Sequence, residues 1–130
     1  MIKTFKDLIV YQKAFRLAME LFEMTKNFPK IEQFSLTDQI RRSSRSVCVN
    51  IGEAWRRRMY PAHFVSKLTD ADAEATETII WLDFSLECEY LEPVIHKEFN
   101  AGYEEIGKML GSMITSPEKF CYGDVSKKIK

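Results

Sequence analysis

The chain has 130 residues, with 19 Lys plus Arg balanced by 19 Asp plus Glu, so its formal net charge is zero. That length suits one domain and crowds two. With 45% hydrophobic residues, 5 Gly and 4 Pro, the composition argues against disorder and against a turn-rich all-β fold, and the charge sum excludes a uniformly basic nucleic-acid binder.

Four helical stretches are separated by the prolines. The first is predicted over residues 5–26. Thr4 followed by Asp7 is a capping signal, because the hydroxyl can accept from an orphan N–H of the first turn. Leu8, Phe15 and Phe22 recur at seven, with Ala18 and Met19 between them and Gln12 as a polar interruption, which predicts the buried stripe. Asn27-Phe28-Pro29 ends the helix, since the residue before proline avoids the α region.

The second helix is predicted over 36–58, with Ser35 and Asp38 offering a cap. Leu36, Ile40, Val47, Ile51 and Ala54 fall within about 60° of one another on the wheel. Ser43 and Ser44 flank that face and would let a neighbour approach closely. The third helix is predicted over 61–90, with Pro61 in its first turn. Phe64, Leu68, Ala71, Ala75, Ile79, Leu82 and Leu86 form the strongest periodic signal in the chain. Pro93 starts the fourth helix, whose stripe is Ile95, Phe99, Gly102, Ile106, Leu110 and Met113. Gly102, Gly107 and Gly111 either weaken this helix or mark close packing. Ser116-Pro117 stops it.

The predicted fold class is all-α, an antiparallel up-down four-helix bundle over residues 1–116, because short connections force neighbouring helices to alternate in direction. Residues 117–130 read as a short, polar, lysine-rich tail, expected to be mobile. Cys48, Cys88 and Cys121 are odd in number, far apart and without a C-x-x-C, which points to free thiols rather than disulfides or a zinc site. The N-terminus lacks the apolar core of a signal peptide, and no apolar run approaches the ~18 residues of a membrane span. The expectation is a soluble cytoplasmic protein without a membrane partner.

The zero net charge hides a sharp asymmetry. Residues 39–67 hold 7 bases and 1 acid, whereas residues 68–105 hold 1 base and 11 acids. The second helix is a basic rod and the third an acidic one. Arg41, Arg45 and Arg56 share a face within about 60°, Arg42 lies beside them, and Arg57 and Arg58 extend the cluster around the helix end. Arginine grips phosphate through paired N–H groups, so these six residues are the candidate nucleic-acid site. The competing reading is structural. Asp70, Asp72, Glu74 and Glu77 of the antiparallel third helix can absorb Arg41, Arg42 and Arg45, and Glu53 can pair with Arg57 four residues on.

Catalytic patterns fail. His63 and His96 are the only histidines, and neither follows a glutamate at the Glu-x-x-His spacing of a di-iron bundle. Glu92 stands four before His96, a spacing typical of a surface contact. Glu74 and Glu77 suit one half of a magnesium site in a helical nucleotide pyrophosphatase, but the second acidic pair is missing. There is no phosphate loop, nucleophile elbow or H-E-x-x-H. No enzyme, metal or cofactor is expected. Trp55, Trp81, Tyr11 and Tyr60 read as packing residues.

Several strings together resemble one family. They are Phe5-Lys6-Asp7-Leu8-Ile9-Val10-Tyr11-Gln12-Lys13-Ala14, Phe28-Pro29, Leu36-Thr37-Asp38-Gln39-Ile40-Arg41-Arg42-Ser43, Ser46-Val47-Cys48-Val49-Asn50-Ile51-Gly52-Glu53, Glu74-Ala75-Thr76-Glu77-Thr78 and Trp81-Leu82. In order and spacing they resemble the bacterial four helix bundle family, the large-subunit ribosomal RNA intervening-sequence proteins. The chain is also similar to the accessory variability determinant of diversity-generating retroelements. The resemblance implies an antiparallel four-helix bundle and a homopentamer with a central channel. From the retroelement relative it implies a basic surface that binds RNA or DNA and docks a reverse transcriptase. Other members are encoded inside ribosomal RNA genes without an established activity. The matching arginines are Arg41 and Arg42, with Arg45 nearby. The family often has Asn-Ile-Ala-Glu-Gly where this chain has Asn50-Ile51-Gly52-Glu53-Ala54, and Ala or Gly at Ser44 and Val49, so packing is expected to differ in detail.

The expected function is a non-catalytic oligomer that binds nucleic acid, or a nucleic-acid enzyme, through its basic second helix. The alternative is a structural or adaptor oligomer whose arginines pair with the acidic third helix.

Overall fold

A computed structural model describes residues 1–122. Four helices carry the fold: α1 (Ile9–Thr25), α2 (Asp38–Arg56), α3 (Pro61–Glu87) and α4 (Pro93–Thr115). Each packs against the next, and α1 closes the bundle against α4. The all-α four-helix expectation therefore holds, with boundaries and faces that differ in instructive ways.

The N-terminal capping box forms: Thr4 Oγ1 accepts from the Lys6 N–H, and Asp7 Oδ2 accepts from the Thr4 N–H. It caps a short 3-10 turn, Phe5–Asp7, not the main helix. Leu8 is extended (φ −69°, ψ 128°), and α1 starts after it. This break resets the phase. The buried face of α1 is Val10, Ala14, Leu17, Ala18, Leu21 and Thr25, while Phe15 and Met19 from the expected stripe are 51% and 46% exposed. A Cβ at Gly102 of α4 would lie 2.9 Å from Leu17 Cδ1, so α1 and α4 approach closely at this point.

Helix α2 buries Ile40, Val47, Ile51 and Ala54 as expected, with Leu36 buried just before it and Ser43 and Ser44 fully inside. Its start is different. A π turn, Gln33–Thr37, runs directly into Asp38, and Ser35 caps nothing; its hydroxyl donates to Glu32 Oε1 at 2.7 Å. Glu32 Oε2 also accepts from Tyr90 Oη at 2.8 Å, which ties this connection to the far end of α3. The bond from Ser35, then that from Tyr90, holds the Glu32 carboxyl below its ordinary pKa.

Helix α3 ends at Glu87, three residues early, in a Schellman turn. Tyr90 N–H donates to the Ser85 carbonyl and Glu89 N–H to that of Leu86, with Glu89 in the left-handed region (φ 63°). The face α3 buries is Phe64, Leu68, Ala71, Ala75, Thr78, Leu82 and Ser85, a strict alternation of four and three. Thr78 and Ser85 thus take the interior positions expected for Ile79 and Leu86, which are half-buried. They can do so because their hydroxyls are satisfied: Thr78 Oγ1 lies 2.8 Å from Ser43 Oγ on α2 and 2.9 Å from the Glu74 carbonyl, and Ser85 donates to the Trp81 carbonyl at 2.9 Å.

Helix α4 buries Phe99, Tyr103, Ile106, Leu110 and Met113. Tyr103 was absent from the expected stripe, yet it is among the largest fully buried side chains. Residues just past 116 do not behave as a free tail. A 3-10 turn, Pro117–Lys119, brings Phe120 against Phe64 (ring centroids 6.1 Å) and buries Cys121. Two aromatic and thiol side chains gain apolar cover there, so the packed body extends to Tyr122. The rest of the expected tail, 123–130, lies outside the described residues. Among the described residues, no helix is long and apolar enough to cross a membrane.

Candidate nucleic-acid interface

The six arginines of the candidate site fall into three environments. Arg41 and Arg58 are held by backbone and rings. Arg41 Nε donates to Thr25 Oγ1 at 2.9 Å and Nη2 to the Phe22 carbonyl at 3.5 Å, with the guanidinium 4.8 Å from the Phe22 ring. It therefore closes the C-terminal turn of α1, where a cation complements the helix dipole. Arg58 Nε donates to the Trp55 carbonyl at 2.7 Å, its plane stacks 3.6 Å from the Trp55 ring, and Nη2 reaches Tyr122 Oη at 2.9 Å.

Arg42 is the arginine that the acidic helix absorbs. It pairs with Glu74 at 3.2 Å and with Glu77, in a fork across the α2–α3 seam. Partial burial works against its charge, but the two carboxylates, Glu77 first, outweigh that and raise its pKa. The pair is half-exposed, so its contribution to stability is at most about 1 kcal/mol. The expected pairing of Arg41 and Arg45 with α3 does not form, because both lie on the α1 flank of α2, beside Phe22. Glu53 lies 3.9 Å from Lys67 rather than on Arg57. The helix ends at Arg56, and Arg57 (φ −104°, ψ 20°) has left the i,i+4 register.

Arg45, Arg56 and Arg57 form the third group. All are exposed, and none makes an ion pair or side-chain hydrogen bond among the described residues. Arg45 only lies 5.7 Å over the Phe22 ring. Of the six candidate arginines, these three are the ones without an ion pair or side-chain hydrogen bond among the described residues.

These arginines border two hollows. One is a groove of about 710 Å³ between α1 and α2, with Phe15, Met19 and Val49 on its apolar walls. The other is a pocket of about 700 Å³ at the end of the bundle, where Lys3, Tyr60 and His63 join Arg56 and Arg57. The sequence reading missed Lys3 and His63 and took Tyr60 as packing, although it is 59% exposed. The adjacent signal was available: three arginines run into Tyr60-Pro61-Ala62-His63 within one helix break.

Cys48 sits in the groove wall, 8% exposed, and burial pushes its thiol up to about 11. Cys88 is exposed at the end of α3. A thiolate is the nucleophile, and at pH 8 roughly one Cys48 in a thousand carries it. Alkylation at pH 8 should therefore modify Cys88 first. The Cys48 rate should rise close to tenfold per pH unit up to pH 10, as read by peptide mass spectrometry. A Cys48 rate that is flat over that range would contradict the burial described.

The paired carboxylates considered for magnesium are occupied. Glu74 and Glu77 both engage Arg42, and Trp81 Nε1 donates to Glu77 Oε2 at 3.1 Å. His96 Nε2 lies 2.8 Å from Asp83 Oδ1 rather than on Glu92, and His63 stacks against Tyr60. Among the described residues, no three His, Cys, Asp or Glu side chains group as a metal site.

The fold and the site together define a class: a four-helix bundle whose second helix carries an open basic edge along an apolar groove. Comparison with known proteins agrees with the bundle fold. The family described as 23S rRNA-intervening sequence protein matches residues 6–112, and the chain belongs to that family. It is similar to a crystal structure of a protein of unknown function from the S23 ribosomal protein family of Bacteroides thetaiotaomicron. The two share 32% identity with a TM-score of 0.76, over 85% of this chain and 98% of that one. Comparison with curated proteins found no match.

Proposed function

We propose that this chain is a non-catalytic bundle protein that assembles with copies of itself and binds nucleic acid through the basic edge of α2. The observation that carries the nucleic-acid reading is the open state of Arg45, Arg56 and Arg57 on a helix whose acidic neighbour engages only Arg42. Three guanidinium groups on one edge create a local positive field despite the zero sum, and assembly multiplies it. The occupied Glu74 and Glu77 favour a binding role over magnesium-dependent hydrolysis.

Self-assembly is supported by the groove. Phe15, Met19 and Val49 stand side by side as an exposed apolar wall, a surface that suits a partner. Its rim carries Arg45 and Arg56. The outward face of α3 exposes Ile80 and Phe84 beside Asp83 and Glu87. The two surfaces match in apolar character and lie on different helices. Such a head-to-tail contact forms a ring when the rotation per subunit closes and a filament when it does not; the pentamer implied by the family resemblance is the closed case.

The test is titration of RNA and DNA at two salt concentrations, with light scattering for assembly. With three phosphates neutralised, raising salt from about 50 to 200 mM should weaken binding roughly 20- to 40-fold. Arg45→Ala, Arg56→Ala and Arg57→Ala together should abolish most of it. No binding at low salt, or binding unchanged in the triple variant, would sink the reading. Binding of a reverse transcriptase without nucleic acid would replace it with the docking role. A second reading, an adaptor that uses its arginines internally, is favoured by the Arg42 fork and by the contacts of Arg41 and Arg58. It predicts that replacing Arg41 or Arg42 costs stability and that none of the six affects nucleic acid.

A further inference from the structure

We infer that the pocket at the α2–α3 end of the bundle binds single-stranded nucleic acid, holding phosphates on Lys3, Arg56 and Arg57 and an unstacked base on Tyr60. This rests on the nucleic-acid reading above and adds the place and the strandedness.

The local sequence builds the pocket. Helix α2 stops at Arg56, and the chain turns through Arg57 before α3 starts at Pro61, with Tyr60 extended as its N-cap residue (φ −121°, ψ 94°). Arginines that a helix would fan out at 100° steps are instead gathered around one turn. Tyr60 and His63 stand side by side, their rings 5.5 Å apart and tilted by 44°. The hollow they border is about 700 Å³, within the about 300–1,000 Å³ typical of small-ligand sites. No acidic side chain among the described residues lines it.

Arg58 separates the platform from the core. It covers the face of Trp55 at 3.6 Å, so the buried indole offers no ring to a base. Tyr60 and Tyr122 are the exposed phenol rings of the pocket, but Arg58 lies 4.6 Å over that of Tyr122. The platform therefore falls to Tyr60, with cations flanking it at the end of α2 and at Lys3. Cationic side chains around an exposed aromatic ring are the chemistry of single-strand recognition. The charges track the backbone, and any splayed base can stack. A duplex presents its phosphates but keeps its bases paired, so it meets the arginines and not the ring. The α1–α2 groove differs in kind, since its walls are apolar and Glu53 lines it.

The experiment is fluorescence anisotropy of a labelled 20-nucleotide RNA, about two turns long when paired, as a single strand and as a duplex. Wild type, Tyr60→Ala, Tyr60→Phe and Arg57→Gln are compared, with circular dichroism for folding. The single strand should bind more tightly than the duplex. Tyr60→Ala should weaken single-strand binding about tenfold or more and leave the duplex unchanged, with Tyr60→Phe close to wild type. Arg57→Gln should weaken both. Equal binding of both forms with no effect of Tyr60→Ala would overturn the pocket assignment while leaving the basic-edge reading intact. Failure of wild type to bind either form would overturn both. Polyglutamate bound with the same Tyr60 dependence would overturn the assignment to nucleic acid in favour of an acidic polypeptide.

Discussion

Tyr103→Phe should stabilise the bundle by about 1 kcal/mol, and Tyr103→Ala should destabilise it by about 3–5 kcal/mol. The ring is 1% exposed between α4 and its neighbours, and its hydroxyl finds no hydrogen-bond partner among the described residues. Burial, then the neighbourhood of Cys48 and Glu20, pushes the phenol far above its ordinary pKa, so it stays neutral at any working pH. Removing the hydroxyl removes a desolvated polar group and keeps the ring volume. Removing the ring leaves a cavity the close-packed helices cannot fill. Thermal melts of both variants check this, at about 3–5 °C per kcal/mol for a chain of this size. A Phe variant less stable than wild type would show that the hydroxyl has a partner.

The second large effect lies at the α2–α3 seam. Thr78→Val and Ser43→Ala should each cost about 1–2 kcal/mol, and the double variant should cost clearly less than their sum. The two hydroxyls are fully buried and 2.8 Å apart. Without Thr78, Ser43 keeps only a long 3.4 Å contact to the Ile40 carbonyl. Once one hydroxyl is gone, the other has little left to lose. Denaturant unfolding of the four proteins gives the coupling directly, and strict additivity would mean that the pair does not act as a unit. The same pair fixes register, because it can form only when position 43 of α2 faces position 78 of α3.

This pair also marks where sequence reading stops. The α3 stripe was legible from period alone at Phe64, Leu68, Ala71, Ala75 and Leu82, all of which are buried. Apolar period chose Ile79 and Leu86 for the remaining places. The interior chose Thr78 and Ser85, because facing hydroxyls and carbonyls satisfy them there. In α1 the error has the same origin. The stripe read at spacing seven placed Phe15 inside, with Met19 beside it, whereas α1 buries Ala14, Leu17, Ala18 and Leu21, and Leu17 closely approaches α4 at Gly102. The displaced large residues became the wall of the groove.

The candidate site was half legible. Six arginines in 18 residues stand out in any charge count, and the acidic third helix was identified as their competitor. Which arginine it would take was not legible, because that depends on the rotation of α2 against two neighbours at once. Residue spacing places Arg41, Arg42 and Arg45 within one turn. Packing turns Arg42 to α3 and Arg41 to the end of α1, and leaves Arg45 over Phe22 at the groove.

By itself the sequence determined the four helices, most of their interior positions, the family and the division of the zero net charge into a basic helix and an acidic one. Those properties are local, set by period, proline placement and composition. Only the tertiary structure decided which charges cancel. An ion pair needs two side chains within a few ångströms, and that distance is a product of helix rotation and register, not of order along the chain. Zero net charge therefore leaves Arg45, Arg56 and Arg57 open, on the one edge of the second helix that its acidic neighbour does not reach.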